Sequence, residues 1–330
     1  MILWDDSDTR YKQAFFDSLK NYGMNTIMLD FGWNKLEPTK GVYDQNYLGK
    51  MDNFVEKAAR AGIYIILRML KYPYPIAYQV QYPGNPWLLA YPAWLNNTPG
   101  FWENDQNCWD RYVAMWTMLA THYANATYVS GFDLFGEPGT DIGPGIYDPT
   151  GVNPQTWQSN TCRKVMGVLF DNDRLYERTM NAIRPISDKL IIIEGFSQGI
   201  LNYLKNVGDT QRTITRRPQS QNFAVGQSVY DPYQFVWLDG QKAITDSWNV
   251  PFVAAEFGVK VAIIDSPQPA NVDWVNQACL AFASRNMGWF YWLFGPGPST
   301  NDWNLVDQTD NSVSPILSNV LSTQAKALQS

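Results

Sequence analysis

The sequence predicts an α/β chain closed into one (β/α)8 (TIM) barrel, and three observations carry that expectation. Eight apolar, strand-length runs alternate with helical segments, and regular alternation implies parallel strands joined by right-handed crossovers. Two of these runs are Gly131-Phe132-Asp133-Leu134-Phe135-Gly136-Glu137-Pro138 and Pro251-Phe252-Val253-Ala254-Ala255-Glu256-Phe257-Gly258. Both read as buried core strands, each delivering a carboxylate at its carboxyl end. Finally, the 330 residues contain no low-complexity linker or charge run that would divide them, and such barrels take about 250 residues as one unit. One catalytic domain over residues 1–330 is therefore expected. Eight units close a barrel, where five or six would leave an open sheet; the first and fifth carry the least signal.

Taken in order, Ile2-Leu3-Trp4 is the first strand. A helix follows over 8–22, with Phe15, Phe16 and Leu19 on one side and Gly23 as its stop. The strand at 25–31 runs into Trp33-Asn34-Lys35-Leu36-Glu37-Pro38, expected to be a loop that exposes Trp33 and Glu37. A helix over 46–61 ends at Gly62, and the strand at 63–70 carries Arg68 near its end, with Lys71 just after. Residues 72–101 are rich in Tyr, Pro and Trp without a helical period. Ordered loops of that length usually serve function, so this one is expected to wall a cleft. The helix at 105–124 leads to the Glu137 strand, and 140–160 is a further Gly/Pro loop. Then come a helix at 171–186, a strand at 190–194, a short helix at 200–206 and a basic loop through Arg212, Arg216 and Arg217. The strand at 223–230, a helix within 233–248, the Glu256 strand and a helix at 270–285 follow. A strand at 288–294 and a helix at 315–328 complete the chain.

Composition narrows the function. Hydrophobic residues make up 45% of the chain, ample for a large core. The 14 Trp, 19 Tyr and 16 Phe are 15% of all residues. Some of these rings line the core, and the excess favours a surface that stacks on flat apolar faces such as sugar rings. A net charge of −6 argues against nucleic acid or an anionic membrane as partner. No run approaches the ~18 apolar residues of a transmembrane helix, and no basic n-region with an apolar h-region opens the chain. Asn96-Asn97-Thr98 and Asn125-Ala126-Thr127 are glycosylation sequons; an extracellular location is the expectation and a cytoplasmic one the alternative. Cys108, Cys162 and Cys279 lack metal-ligand spacing, and both a Cys108–Cys162 bridge and unpaired buried thiols stay open. The one histidine, His122, falls inside a predicted helix as a surface or packing residue. Catalysis by Ser–His or Cys–His, or by a histidine-bound metal, is not expected.

The chemistry concentrates on Glu137 and Glu256. They are 119 positions apart (256 minus 137), yet on a closed barrel all C-terminal strand ends face one pocket. Hydrolysis of a glycosidic bond needs such a pair, one acid protonated to release the leaving oxygen and the other ionised. Retaining enzymes hold the two at about 5–5.5 Å and inverting ones at about 6.5–9.5 Å. Mutual repulsion and unequal surroundings separate their pKa values. Asp30, Arg68, Lys71, Gln227 and Ser228 lie on or beside the same strand ends, and Glu194 is expected to order the pocket rather than react. Placement of the two glutamates on opposite rims, or burial of either against a permanent cationic partner, would end the enzyme reading and leave only an aromatic-rich barrel of unknown purpose.

The strand Gly131-Phe132-Asp133-Leu134-Phe135-Gly136-Glu137-Pro138 resembles the acid/base strand of glycoside hydrolase family 5, in clan A. Val253-Ala254-Ala255-Glu256-Phe257-Gly258 resembles its nucleophile strand. Asn25-Thr26-Ile27, Trp33, Leu36-Glu37-Pro38 and Gly41-Val42-Tyr43 are similar to its second-strand region. Tyr230-Asp231-Pro232 resembles the tyrosine after strand six, and Trp289-Phe290-Tyr291-Trp292 the tryptophan strand eight. The resemblance implies a retaining, cellulase-type hydrolase of a β-linked glycan, without cofactor or metal. β-1,4-glucan is the first substrate in line, with mannan or a glycolipid headgroup as others. It makes Glu137 the acid/base, Glu256 the nucleophile, Tyr230 a hydrogen-bond partner of Glu256, and Trp292 the platform under the sugar. Trp33 is a candidate subsite platform.

Four family positions differ. The usual Asn before the acid/base is Gly136, the second-strand arginine aligns with Met28, and two histidines align with Leu70 and Ser228. Arg68 is expected either to supply the missing guanidinium or to pair with Asp30 or Asp133 inside the barrel. Gly136 would leave space for a C2 substituent or water, and Ser228 would replace part of the lost polar contacts. The rival reading is a carbohydrate-binding pseudoenzyme on the same barrel. The sequence leaves the oligomeric state open.

Overall fold

The computed structural model describes residues 11–69, 92–95, 106–136, 138, 175–195, 217–230, 235–259, 269–292, 305 and 316–327. Within them are seven strands: β1 (Thr26–Phe31), β2 (Tyr64–Met69), β3 (Val129–Asp133), β4 (Leu190–Glu194), β5 (Phe223–Tyr230), β6 (Phe252–Gly258) and β7 (Gly288–Tyr291). They form one sheet in chain order, and every neighbouring pair is parallel. This is the succession of a (β/α)8 barrel, and the seven match the second to eighth strands of the sequence reading. The expected first strand, residues 2–4, lies outside the described residues, as do the expected loops at 140–160 and most of 72–101. The helices are α1 (Gln13–Asn21), α2 (Trp33–Leu36), α3 (Gln45–Arg60), α4 (Gln106–His122), α5 (Leu175–Ile183), α6 (Val236–Ser247), α7 (Pro269–Ala283) and α8 (Ser322–Ala327). A π-helical turn, Ile316–Leu321, leads into α8.

The strands are apolar on both faces because both are covered. Successive side chains alternate across a strand, so Leu29, Leu67, Phe132, Ile191 and Ile193 join the helices in the main core. On the other face Met28, Ile66, Ile192 and Ala224 form a separate inner cluster, completed by Leu190, Val253 and Phe290. Two residues further along their strands, past Met28, Ile66 and Ile192, stand Asp30, Arg68 and Glu194. The barrel interior thus changes from apolar to charged toward the C-terminal strand ends.

Four helix-to-strand turns repeat one hydrogen-bond pattern. The N–H of Met24, Ile63, Val250 and Met287 donates to the carbonyl five residues back, and the preceding N–H to the one three back. This is the Schellman closure, which satisfies the orphan helix carbonyls and requires a left-handed residue. Gly23 and Gly62 fill it at φ 83° and 69°, and Asn249 and Asn286 at 54° and 53°. The glycines were legible as stops; the asparagines end their helices by the same geometry. Because a Cβ costs roughly 1–2 kcal/mol there and Asn offsets only part of it, Asn286→Gly is expected to raise the thermal midpoint slightly. Asn286→Val should lower stability by about 1–2 kcal/mol in urea titration.

Tyrosines fasten the strand ends that carry the site. Tyr112 of α4 donates to Leu134 O at 2.6 Å and Tyr176 of α5 to Glu194 O at 2.7 Å, while Tyr47 of α3 accepts from Gly32 N at 3.0 Å. Burial raises all three phenol pKa values, so each remains a neutral donor or acceptor.

One loop was misjudged. Residues 33–36 form α2, and Trp33 and Glu37 are both fully buried. Trp33 Nε1 donates to Glu37 Oε2 at 2.8 Å, and Gly41 N and Arg111 Nε donate to Oε1 at 2.7 and 2.8 Å. Arg111 Nη2 also reaches Oε1. A buried carboxylate needs such a partner, and Arg111 comes from α4, 74 residues away. Trp33 packs edge-on to Trp94 and Tyr112 at 5.9 and 6.0 Å. It is a packed anchor and not a sugar platform.

His122 lies on the surface of α4 with Nε2 2.7 Å from Asp52 Oδ1, as expected. Cys108 and Cys279 are buried, and burial pushes the Cys279 thiol up to about 12. Cys162 lies outside the described residues. No described helix is long and apolar enough to cross a membrane.

Candidate active site

The site grows out of the strand register. Asp30 of β1 is paired with Arg68 of β2, and Arg68 with Asp133 of β3. Three charged side chains therefore meet at one level of the barrel. Glu194 closes β4, and Glu256 sits on β6 opposite Ser228 of β5. The pairing of β6 shifts on both sides between Ala254 and Phe257. Such a bulge re-aims the side chain it carries, here Glu256.

Arg68 is the hub, at 2% exposure, while Asp30, Asp133, Glu194 and Glu256 are each at 0–1%. Its Nε and Nη2 form a fork on the two oxygens of Asp30, the latter contact at 2.9 Å. Its Nη1 donates to Glu256 Oε2 at 3.1 Å and lies 3.9 Å from Glu194 Oε1. Burial alone would lower the guanidinium pKa, but Asp30, Glu256 and Glu194 raise it, so the charge is permanent. The guanidinium carbon stands 5.5 Å from the centre of the Trp292 ring, a cation–π arrangement.

Four carboxyls against one guanidinium leave an excess of negative charge. Asp133 relieves it. Burial raises its pKa to about 7, while Arg68 and a looser contact with Glu194 pull it down. Neither of its oxygens has a regular hydrogen bond. Burial thus favours a protonated Asp133 toward neutral pH, which lessens the negative charge of the cluster.

Of the residues singled out in the sequence, the structure brings together Glu256, Arg68, Ser228, Gly136 and Trp292. Ser228 is fully buried, and its hydroxyl has no hydrogen-bond partner among the described residues. Trp292 donates its backbone N–H to Phe257 O at 2.6 Å and keeps 7% of its surface exposed. Gly136 N donates to Met69 O at 3.2 Å, so pairing with β2 continues to the residue before Glu137. Glu137 itself, Leu70, Lys71 and the side chain of Tyr230 lie outside the described residues. A cavity of about 70 Å3, lined by Met28, Arg68, Glu256, Trp289 and Trp292 among others, has room for about two waters. It is far below the ~300–1,000 Å3 of a ligand cleft.

Glu256 is buried against a permanent cation, the arrangement expected from the sequence to end the enzyme reading. That criterion was too strict. A carboxylate that must attack has to be ionised, and an adjacent cation favours that form. Arg68 is shared with the Asp30 fork, so its charge is divided rather than spent on Glu256.

A parallel barrel with convergent carboxylates at its C-terminal strand ends is the architecture of a barrel enzyme. The chain belongs to glycosyl hydrolase family 5, whose cellulase model matches residues 4–297, and the barrel is that family's (β/α)8 fold. It is thus a glycoside hydrolase by family. It is similar to an endoglucanase of Paenibacillus polymyxa, at 22% identity over 92% of this chain and 74% of that one. It is also similar to an endoglycoceramidase of Cyanea nozakii, at 25% identity over 40% of this chain. The match covers only 34% of the length of that relative. Among solved structures, an endo-β-1,4-glucanase of Xanthomonas axonopodis pv. citri superposes with a TM-score of 0.67 at 17% identity, over 97% of this chain and 91% of that one. Endo-glycoceramidase II from a Rhodococcus species gives 0.66 at 20%, over 95% and 75%. These likenesses speak for the fold.

Proposed function

We propose that the chain is a retaining β-glycosidase, with Glu256 as nucleophile and Glu137 as acid/base. The observation that carries this is Glu256 itself: a carboxylate buried at the C-terminal end of β6, re-aimed by a bulge and held at 3.1 Å by Arg68. Glu256 attacks the anomeric carbon as the protonated Glu137 gives its proton to the leaving oxygen. Glu137, now a base, then takes a proton from the water that releases the sugar. This double displacement needs neither metal nor cofactor. Trp292 serves as the sugar platform and Tyr230 as a hydrogen-bond partner of Glu256.

The endoglucanase relatives put β-1,4-glucan first, with endo action. The endoglycoceramidase likeness puts a glycolipid headgroup second, ahead of mannan. The test is a release assay on soluble cellulose derivatives, mannan and a glycosphingolipid, with the anomeric form of the first product read by NMR. Product of inverted configuration ends the retaining reading. Binding with no release supports the pseudoenzyme alternative. Glu137→Gln should slow natural glycans by about 10²–10⁴-fold and aryl glycosides with good leaving groups much less, because the latter depart without a proton. Equal losses on both would remove Glu137 from the acid role.

A further inference from the structure

Gly136 packs directly against the side chain of Arg68. A Cβ built there would stand 2.9 Å from Cδ, 3.2 Å from Nε and 3.4 Å from Cγ of Arg68. The space beside residue 136 is therefore neither a pocket for a substrate substituent nor a water site. It is filled by the stem of Arg68. Nor can that stem swing aside freely, since the guanidinium at its end is tied to both oxygens of Asp30. A side chain at 136 and the present path of Arg68 exclude each other.

Resting on the nucleophile role of Glu256, we propose that Arg68 is the positioning residue of Glu256, and that Gly136 is the opening through which it reaches. Arg68 starts on β2, its stem lies against the backbone at Gly136, and its Nη1 reaches Glu256 of β6. Asp30 fixes the fork, Trp292 lies over the guanidinium, and the bare backbone at 136 clears the route. This joins two departures into one device. The glycine that removes a polar contact before the acid/base is what admits a cation to the nucleophile. It also predicts that the substrate is gripped at that point by other groups, since neither Gly136 nor the engaged Arg68 presents a free side chain to it.

The groups around Glu256 define what a pH profile reports. Among the described residues, Asp30 on β1, Asp133 on β3 and Glu194 on β4 are the acids and Arg68 on β2 the cation, and the proposed acid/base Glu137 adds one more acid. Strands β5 and β7 carry no charged residue, only Tyr230 and Tyr291 as titratable groups. Loss or displacement of Arg68 therefore removes the positive neighbour that holds Glu256 at 3.1 Å and raises the pKa of Glu256. The acid limb of kcat/KM then moves to higher pH, which a merely structural defect would not do.

The experiment is a double-mutant cycle on the full chain with Gly136→Ala, Arg68→Met and the pair, plus Arg68→Lys. Each is followed by kcat/KM against pH and by thermal midpoint. Gly136→Ala is expected to lose about 10–100-fold in kcat/KM, as a displaced catalytic group does, and to shift the acid limb upward. In the Arg68→Met background the same alanine should change kcat/KM by less than about twofold, since no guanidinium remains to be displaced from Glu256. Arg68→Lys should keep the acid limb near wild type but lose rate, because it keeps charge without the fork. Additive losses, or a Gly136→Ala profile with an unmoved acid limb, would overturn the proposal. If Arg68→Met folds poorly, Gly136→Ala and Arg68→Lys still decide it through the acid limb. Should the wild-type chain hydrolyse no member of the panel, the functional reading fails and the positioning role with it. Coupling of the two substitutions in thermal midpoint would then show whether the positions exclude each other, and additive midpoints would end that part too.

Discussion

Glu256→Ala is expected to reduce kcat/KM on the best β-glycan by about 10⁴-fold or more, the scale of loss when a covalent nucleophile is removed. The chain should still fold, because Arg68 keeps its fork on Asp30 and Glu194 nearby. The truncation also leaves a small space beside the anomeric carbon. Added azide should enter it, restore turnover on an activated aryl glycoside, and yield a glycosyl azide of inverted anomeric configuration. No azide product, or more than a tenth of wild-type activity in Glu256→Ala, would place the nucleophile elsewhere.

The second large effect is on stability. Asp133 has a folded pKa of about 7 against an ordinary 3.8, raised by burial. The folded state therefore binds more protons than the unfolded one between those values. Stability contributed by this group is greatest below pH 4 and is lost as pH rises toward and past 7. Asp133→Asn cannot ionise and escapes that loss. Relative to wild type, its unfolding free energy should rise by about 2–3 kcal/mol between pH 5 and pH 8 in urea titration. A difference that stays flat over this range would mean that Asp133 is ionised throughout, with the excess proton on a neighbour.

Much of this molecule could be read without coordinates. Seven strands fall where apolar runs of strand length predict them, since parallel strands covered on both faces have no polar side to confuse the pattern. Gly23 and Gly62 marked helix ends because glycine is the common left-handed residue, whereas Asn249 and Asn286 do the same work with a less diagnostic side chain. Glu256 was legible through its strand. Asp30 had been named as a possible partner of Arg68, and the fork exists.

The failures share a cause. Trp33 and Glu37 looked exposed because a Trp, a Glu and a Pro near a strand end suggest a loop. Nothing local reveals that Arg111, 74 residues on, neutralises Glu37. Gly136 looked like room for a ligand, because the Arg68 stem that fills it leaves another strand.

The order of the strands, their two-sided burial and the strand that carries Glu256 could be read from the chain alone, because they follow from the local period of apolar residues. Which charges meet came from the folded arrangement: Arg68 spans from Asp30 to Glu256, burial raises the pKa of Asp133, and the Arg68 stem fills the space where a side chain at 136 would stand. Such pairings depend on register between strands and on distances across the barrel, where low dielectric makes each contact count. No pattern along a single chain encodes those distances.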